Sequence, residues 1–353
     1  MSLKEIPADE NYTIPAEWER HEATWLGWPH NKEDWPGKFT PVKWVYAEIV
    51  KKIAGGEKVR ILVESKEDEK KVKFVLASAG AALNDVEFYN FKTDRGWMRD
   101  ACPAFIKNGR QVSSVNFKFN GWAKYPNHKK DQKLPQYISE KLGINRFIPV
   151  HKETQVVLEG GAIDINGKGT LITTEECLLD NTTQVRNAGF TKKDYEEVFA
   201  KYLGISNVLW LGKGICGDDT HGHVDDLCRF VNESTIVLVQ EKNPRDENYN
   251  LLQDNTERIK DFRLEDGTKP ETIFLPMPEP VIFKGQRLPA SYANFYISNT
   301  SVIVPTFNDP NDRTALGILS ELFRDRSVVG IHAVDLVWGL GTLHCLTHEQ
   351  PAL

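Results

Sequence analysis

Residues 207–211 read NVLWL, a short apolar run of the kind that forms a strand inside a sheet. An amphipathic stretch at 195–203 precedes it, and the polar segment GDDTHGHVDD (217–226) follows it. Further upstream, DINGKGTLIT (164–173) has the strand–turn–strand pattern of a β-hairpin, with Asn166 at the turn. Hairpin, helix, buried strand and polar motif together describe one α/β unit.

Similar runs predict buried strands in other parts of the chain. They are VRILV from Val59, RFIPV from Arg146, TIFLP from Thr272 and VVGIH from Val328. Amphipathic segments at 41–53 and 315–323 precede the first and the last of these runs, as 195–203 precedes NVLWL. The sequence therefore repeats one α/β unit along its length.

The hairpin pattern recurs as well, each time with an Asn at or beside the turn. The other three hairpins are FIKNGRQVSSV with Asn108, RFVNESTIVLV with Asn232 and YISNTSVIVP with Asn299. Asn tolerates the left-handed backbone of tight turns, so we expect that conformation here. About five units fit the chain if the Trp-rich start, ATWLGWP (23–29), is counted as a degenerate copy.

Units of this kind need neighbours to cover their apolar faces. A ring of five would bring one end of every unit to a shared axis, where the polar motifs would surround one central pocket. An ordinary α/β sheet with coincidental spacing is the alternative. No linker or low-complexity segment divides the chain, so we expect residues 1–353 to form a single catalytic or binding domain.

Composition excludes several classes of partner. The chain has 44 Lys and Arg against 50 Asp and Glu, and its net charge of −6 argues against nucleic acid or an anionic membrane. No run reaches the roughly 18 apolar residues of a membrane helix, and the first residues lack the apolar core of a signal peptide. Five irregularly spaced Cys residues favour a reducing compartment, so a cytoplasmic location is expected.

Four segments have an unusual density of polar residues: TDRGWMRD (93–100), LEGG (158–161), GDDTHGHVDD (217–226) and GLGTLHCLTH (339–348). In the last segment, Cys345 follows a His, and nearby glycines permit close approach of the backbone. A thiolate nucleophile needs a base or a cation nearby and an accessible backbone. The alternative is a structural Cys buried in a C-terminal strand.

His223 and Asp225 stand two residues apart, so on a strand they would point to the same side of the sheet. Three interpretations fit this pair equally well. It forms an acid–base pair, it binds a metal together with His221, or it makes structural hydrogen bonds.

Glu159, Asp100 and Trp97 are weaker candidates when each is taken alone. Two glycines leave the Glu159 carboxylate uncrowded, although most Glu side chains are simply solvated. Asp100 either pairs with Arg99 or faces a substrate, and Trp97 either fills the core or offers its ring to a cation. The sequence contains no P-loop, no G-x-G-x-x-G after a strand and no G-x-S-x-G elbow, so nucleotide cofactors lack support.

Taken together, the motifs resemble those of the agmatine deiminase family, which groups with the Porphyromonas-type peptidylarginine deiminases. The matching stretches run through nearly the whole chain in family order. They are WLGWPHNKEDW (25–35), DRGWMRD (94–100), LEGG (158–161), DDTHGHVD (218–225), ASYANFY (290–296) and LHCLT (343–347). Several dispersed motifs are far more specific than any one of them.

The resemblance implies an α/β fold of five ββαβ units, the five-bladed α/β propeller or pentein, around a central active site. It also implies hydrolysis of a guanidinium group to a ureido group and ammonia without a metal or cofactor. Agmatine would give N-carbamoylputrescine through a thiouronium intermediate. The implied partner is a small cationic guanidine, and a homodimer is a family-level expectation.

By the same resemblance, Cys345 is the nucleophile, His223 is the general acid and base, and Glu159 supports both His223 and the substrate. The implied substrate-binding residues are Asp100, Asp225, Trp97 and Asn294. The chain departs from the common family pattern at Leu340 and Thr342, where Gly and Asn or Ser are frequent, and at 347–349, where paired Gln is frequent. These changes leave the chemistry in place and bear on the identity of the substrate tail.

Other functions stay open at this point. Free arginine and peptidylarginine are the runner-up substrates, although a substrate carboxylate should need an Arg or Lys at the pocket mouth and the sequence alone places none there. An amidinotransferase could share the Cys, His and carboxylate set. A metal-dependent hydrolase built on His221, His223 and Asp225 would also fit the sequence, and so would a non-catalytic binding protein of the same architecture.

Overall fold

The computed structural model describes residues 2–3 and 6–353. Its strands are β1 (Ser2–Leu3), β2 (His21–Gly27), β3 (Lys58–Val63), β4 (Val86–Asn90), β5 (Ala104–Lys107), β6 (Val112–Val115), β7 (Arg146–Phe147), β8 (Val150–His151), β9 (Thr154–Gln155), β10 (Asp164–Ile165), β11 (Thr170–Thr174), β12 (Asn207–Leu211), β13 (Cys228–Phe230), β14 (Thr235–Gln240), β15 (Glu271–Pro276), β16 (Ile282–Phe283), β17 (Gln286–Arg287), β18 (Tyr296–Ile297), β19 (Ser301–Thr306), β20 (Ser327–His332) and β21 (Thr347–Pro351).

The helices are α1 (Phe39–Ile53), α2 (Lys66–Ala79), α3 (Met98–Ala101), α4 (Leu134–Leu142), α5 (Glu175–Leu178), α6 (Lys192–Leu203), α7 (Asn248–Ile259), α8 (Pro310–Leu322) and α9 (Leu343–Leu346). In the part of the chain that the structure describes, none of the helices has the length and apolar character needed to cross a bilayer.

One arrangement of strands occurs in five sheets. In each sheet an antiparallel pair is joined by a third strand parallel to the second, and a helix connects the second strand to the third. The five sets are β21–β2–α1–β3, β5–β6–α4–β7, β10–β11–α6–β12, β13–β14–α7–β15 and β18–β19–α8–β20. The predicted α/β class and its repeating unit are therefore confirmed.

The burial of the strands differs from the sequence prediction. The runs from Thr272 and Val328 were expected to be buried, but in β15 and β20 only one residue of six is buried. The middle strands β11, β14 and β19 are the buried ones. Strands β11, β14 and β19 have neighbours on both edges, whereas β15 and β20 lie at the edges of their sheets, so apolar composition alone does not separate them.

The Trp-rich start is not a degenerate unit. It forms β2, the middle strand of a complete sheet, and its antiparallel partner is β21 at the other end of the chain. Trp25 pairs with His348 and Leu26 with Thr347 in this register. Because β21 follows Cys345 directly, the pairing of the two chain ends fixes the position of that cysteine.

All four predicted hairpins form, but their Asn residues act differently from the prediction. None of the four has a left-handed backbone. The side-chain oxygens of Asn108, Asn166 and Asn232 instead accept backbone N–H groups two to four residues later. Asn299 accepts the His21 N–H at 2.8 Å and donates to the Gly56 carbonyl, so it joins two sheets.

Two of the predicted helices begin earlier than their apolar periodicity indicates. The helices α6 and α8 begin at Lys192 and Pro310, each after a capping box in which the cap side chain and an acidic residue of the first turn satisfy each other's backbone N–H groups. The caps are Thr191 and Asp309. These polar first turns lack the apolar residues that set the predicted starts.

Candidate active site

The four polar segments identified from the sequence contact one another in the structure. The Gly161 N–H donates to Asp100 Oδ1 at 3.0 Å. His223 Nδ1 lies 3.9 Å from the same oxygen, and Cys345 Sγ lies 3.7 Å from Asp225 Oδ2. Segments from four distant parts of the sequence therefore form one site.

Cys345 lies on the short helix α9 and lines a cavity of about 360 Å³. Trp97 and Asp100 line the same cavity. The thiol is almost completely buried. Burial and the negative charges of Asp225, Asp226 and Asp100 raise the pKa of the Cys345 thiol well above its ordinary value. The sulfur is therefore protonated at neutral pH in the free protein.

Asp225 lies between the sulfur and the imidazole of His223. Its Oδ2 is 3.7 Å from Cys345 Sγ, and its Oδ1 is 4.0 Å from His223 Nδ1. Oδ1 has no hydrogen-bond partner among the residues that the structure describes. A buried carboxylate oxygen without a donor is costly unless a ligand supplies one. Its position fits a guanidinium N–H.

The local structure around His223 corrects two expectations. His223 and Asp225 do not lie on a strand, because Val224–Asp226 forms a 3-10 helical turn that begins directly after His223. His221 has a left-handed backbone and its Nε2 lies 3.1 Å from Asp180 Oδ2, away from the other two residues. The triad His221, His223 and Asp225 is therefore not assembled as a metal site.

His223 is enclosed by carboxylates. Its Nε2 lies 3.8 Å from Glu159 Oε2 and its Nδ1 faces Asp100 and Asp225. Burial alone would lower the pKa of His223, but the opposing charges, that of Asp100 above all, raise it well above its ordinary value. The imidazole is therefore doubly protonated at neutral pH and able to act as an acid.

Glu159 is held by a residue that the sequence analysis missed. Arg186 Nε donates to both of its oxygens, at 3.2 and 3.3 Å. Burial opposes ionisation of Glu159, but Arg186 and His223 together outweigh it and lower the pKa of Glu159 to about 2. Arg186 belongs to no recognisable motif, so no sequence pattern indicated it.

Asp100 is oriented by two neutral donors. Trp122 Nε1 donates to its Oδ2 at 2.8 Å, and the Gly161 N–H donates to its Oδ1. Burial raises the pKa of Asp100, and the nearby Asp225 and Glu159 add to that effect, while His223 opposes it. A cationic ligand would relieve this concentration of negative charge.

Asn294 lies behind the sulfur and is absent from the cavity wall. Its Nδ2 is 3.2 Å from Cys345 Sγ, and its Oδ1 accepts from Thr342 Oγ1 at 2.7 Å and from the His344 N–H at 3.1 Å. These contacts favour a role in holding α9 in place over direct contact with a substrate. Thr342, one of the departures from the family pattern, supplies a hydroxyl to this clamp.

His344 connects Asp225 to a buried network of charges. Its Nδ1 lies 2.7 Å from Asp225 Oδ2 and its Nε2 lies 2.7 Å from Glu17 Oε2. Each ring nitrogen therefore faces a buried carboxylate oxygen. Burial would raise the pKa of Asp225, but the hydrogen bond and charge of His344 keep it below its ordinary value. Asp225 is therefore ionised and fixed in orientation.

Two glycines leave room for the reacting groups. A Cβ on Gly161 would lie 2.5 Å from His223 Nδ1 and 3.0 Å from oxygens of Asp100 and Asp225. A Cβ on Gly341 would lie 2.8 Å from the Trp97 ring and 3.1 Å from the Cβ of Cys345. No side chain fits at either position without displacing these groups.

Two buried groups of side chains have ligand atoms within 4.8 Å of one another: Glu159, Cys177 and His223, and Asp225, Asp226 and Cys345. Each includes a carboxylate that already accepts a hydrogen bond from a basic side chain, Arg186 in the first group and His344 in the second. Both oxygens of Glu159 and Oδ2 of Asp225 are therefore engaged, whereas Asp225 Oδ1 has no partner among the described residues.

Comparison with known proteins agrees with this site. Residues 13–351 match the family model of the Porphyromonas-type peptidyl-arginine deiminases. The agmatine deiminase of Ectopseudomonas mendocina is 31% identical over 377 aligned residues, covering 99% of this chain and 98% of the relative.

Solved structures of agmatine deiminases match the fold over nearly the whole length. The Enterococcus faecalis enzyme superposes with a TM-score of 0.90 at 27% identity, covering 99% of this chain and 98% of that one. The C. jejuni enzyme, solved with substrate bound, gives a TM-score of 0.84 at 27% identity and covers 96% of both chains. The family match and the full-length similarity show that this chain belongs to the Porphyromonas-type peptidyl-arginine deiminase family, which includes the agmatine deiminases.

Proposed function

We propose that this protein is an agmatine deiminase, a hydrolase that converts the guanidinium group of agmatine to the ureido group of N-carbamoylputrescine and releases ammonia. One observation carries the proposal. A cysteine sulfur at the end of a cavity contacts Asp225, and Asp225 and Asp100 both lie within ion-pair distance of His223. Relatives that match the whole chain are named agmatine deiminases, which supports the same reaction.

The two carboxylates bind the substrate cation. A guanidinium is flat and presents N–H groups along its edges, which suit paired, charge-assisted hydrogen bonds with carboxylates. Asp225 Oδ1 is without a donor in the described chain, and Asp100 lines the cavity beside Cys345. Binding between these two residues places the central carbon of the guanidinium near the sulfur.

Substrate binding also prepares the nucleophile. The bound cation offsets the negative charges that hold the Cys345 proton in place, so the thiol pKa falls, the proton passes to water and the thiolate forms. The sulfur then forms a bond to the central carbon, and the π electrons of that carbon move onto a nitrogen. The tetrahedral adduct lies beside the doubly protonated His223.

His223 carries the proton transfers. It donates a proton to the departing nitrogen, the C–N bond breaks, and ammonia leaves a thiouronium on Cys345. His223, now neutral, removes a proton from water, and the resulting hydroxide attacks the same carbon. The C–S bond breaks as the hydroxyl proton of the adduct passes to the sulfur, which releases the ureido product and the Cys345 thiol. Glu159, fixed by Arg186, stabilises the protonated form of His223.

The charge of the cavity favours a cationic tail. Its wall contains four carboxylates, those of Glu33, Asp34, Asp100 and Asp219, against one guanidinium, that of Arg95. The sequence alone placed no basic residue at the pocket mouth, and the structure puts Arg95 in the cavity wall. Its Nη1 donates to Asp34 at 2.7 Å, which neutralises it. The excess of carboxylates disfavours the negative carboxylate of free arginine.

The direct test is to incubate the protein with agmatine, free arginine and an arginyl peptide, and to measure the ureido product and ammonia. We expect turnover of agmatine in preference to the other two. Absence of turnover with all three guanidines would refute the proposal. Preference for the peptide would identify a peptidylarginine deiminase instead.

We further propose that the five sheets close into a five-bladed α/β propeller around this site. Each set has the same strand order, and the pairing of β2 with β21 joins the first of these units to the last segment of the chain. The polar segments that meet at Cys345 all follow the last strand of a sheet. This arrangement accounts for residues from distant segments meeting at one point.

The dependence of the thiol on bound charge can be measured with two alkylating agents of matched shape. Chloroacetamidine is cationic and chloroacetamide is neutral. We expect the midpoint of the pH profile for alkylation of Cys345 to occur at lower pH with the amidine than with the amide. The reason is that the amidine brings the charge that lowers the thiol pKa. Rates are divided by those of a small free thiol, which removes the difference in intrinsic reactivity. Coincident profiles would contradict the substrate-assisted thiolate.

A further inference from the structure

Asp34 is a buried carboxylate in the cavity wall that the chemistry does not use. It lies in the loop between β2 and α1, and its side chain is 1% exposed. Its Oδ1 accepts from Arg95 Nη1 at 2.7 Å, while its Oδ2 has no hydrogen-bond partner within the described residues. An unpaired buried carboxylate oxygen is unfavourable, and a donor supplied by a ligand would relieve it.

The other carboxylates of the wall are occupied or solvated. Both oxygens of Asp219 accept hydrogen bonds, one from Lys124 and the other from Tyr125 at 2.6 Å. Both oxygens of Asp100 accept from Trp122 and Gly161 at the reacting end. Glu33 is exposed to solvent. Asp34 is therefore the wall carboxylate that combines burial with a free acceptor.

The position of Asp34 suits the far end of the substrate. It lines the same cavity as Cys345, and the next residue, Trp35, packs on Trp97 with ring centroids 5.4 Å apart. Trp97 in turn lies beside Gly341, whose Cα also faces Cys345, and both Trp97 and Cys345 line the cavity. A chain of aromatic contacts thus joins Asp34 to the reacting end.

On the basis of the proposed function, we propose that Asp34 receives the distal ammonium group of agmatine and makes the enzyme selective for guanidines with a cationic tail. Arg95 holds Oδ1 and stacks on Tyr125 at 3.9 Å from the ring centroid, so the carboxylate is presented in a fixed orientation. Oδ2 then accepts one of the three ammonium protons. Asp34 acts on binding of the tail and takes no part in the covalent steps.

A pH dependence of selectivity follows from the burial of this group. Burial raises the pKa of Asp34 to about 7, so the carboxyl is protonated below that pH and ionised above it. The titratable and charged groups around it are Arg95, Asp131, Glu33, Tyr46 and Tyr125. The ratio of kcat/KM for agmatine to that for butylguanidine, which has no ammonium group, should rise as pH increases through about 7. Ionisations that both substrates share cancel in this ratio.

The test compares Asp34→Asn with the unchanged protein on agmatine and butylguanidine. We expect kcat/KM for agmatine to fall by about 30-fold or more, mainly through KM, because a charged hydrogen-bond partner is removed from a buried site. Butylguanidine should change by less than about threefold, since its tail makes no ion pair. Asp335→Asn removes a carboxylate that pairs with Lys38 outside the cavity wall, and it should leave the substrate ratio unchanged.

Equal losses on both substrates would overturn the inference, because Asp34 would then act only by holding Arg95. A selective loss in Asp219→Asn in place of Asp34→Asn would overturn it as well. A second measurement does not depend on turnover. Calorimetry compares the binding of agmatine to Cys345→Ser with its binding to the double variant that also carries Asp34→Asn. Weaker binding in the double variant supports the inference even if the proposed hydrolysis fails, and equal binding contradicts it.

Discussion

Cys345→Ser is expected to lower kcat for agmatine by at least about 10⁴-fold, the scale on which removal of a catalytic nucleophile acts. The site already opposes ionisation of a thiol, because Asp225, Asp226 and Asp100 surround the sulfur. A serine hydroxyl ionises far less readily, so the same surroundings leave it inert. The bound guanidinium still meets both carboxylates, and agmatine binding should persist.

The measurement is ammonia release in a single-turnover assay, with calorimetry to show that agmatine still binds. Cys216→Ser is the matched control, because Cys216 is half-buried and lies outside the wall of the catalytic cavity. We expect this control to keep its activity. If Cys345→Ser retained more than a few per cent of turnover, water would be the attacking group and the covalent mechanism would be wrong.

The sequence was sufficient for residues that lie within compact motifs. Cys345, His223, Asp100 and Glu159 were each found beside glycines or other polar residues, and the structure brings their segments together. Gly161 shows why these motifs are compact. A side chain at this position would collide with His223, so the placement of His223 restricts position 161 to glycine.

Residues that act through distant partners could not be predicted in this way. His344 gains its role from Glu17, which lies at the other end of the chain, and Arg186 gains its role from Glu159. Nothing in the local sequence of Glu17 or Arg186 distinguishes it from a surface residue. Only the tertiary structure identifies these contacts.

The same limit applied to the fold. Periodicity predicted a strand in each unit and the helices of three units, because it depends on neighbouring residues. It gave no helix at α4 or α7. It could not distinguish the buried strand β14 from the edge strand β15, since burial depends on what covers each strand. It also missed the pairing of β2 with β21, which needs both ends of the chain.

Asp225→Asn is expected to have two opposite effects. It removes one of the carboxylates that hold the guanidinium and one of the two charged partners of His344, so kcat/KM for agmatine should fall by about 10² to 10⁴-fold. It also removes a charge that raises the pKa of the Cys345 thiol. Alkylation by neutral chloroacetamide near pH 8 should therefore become faster while catalysis becomes slower.

Asp226→Asn is the comparison variant for this experiment. Burial and the charges of Asp225 and Asp218 raise the pKa of Asp226 well above its ordinary value, so this carboxyl ionises less readily than that of Asp225, whose pKa is lowered. We therefore expect the alkylation rate of Cys345 to rise less in Asp226→Asn than in Asp225→Asn. Thermal unfolding of both variants shows whether the site remains folded. Slower alkylation in a folded Asp225→Asn would mean that Asp225 positions the sulfur and does not suppress its ionisation, and the account of a thiolate released by substrate charge would then be wrong.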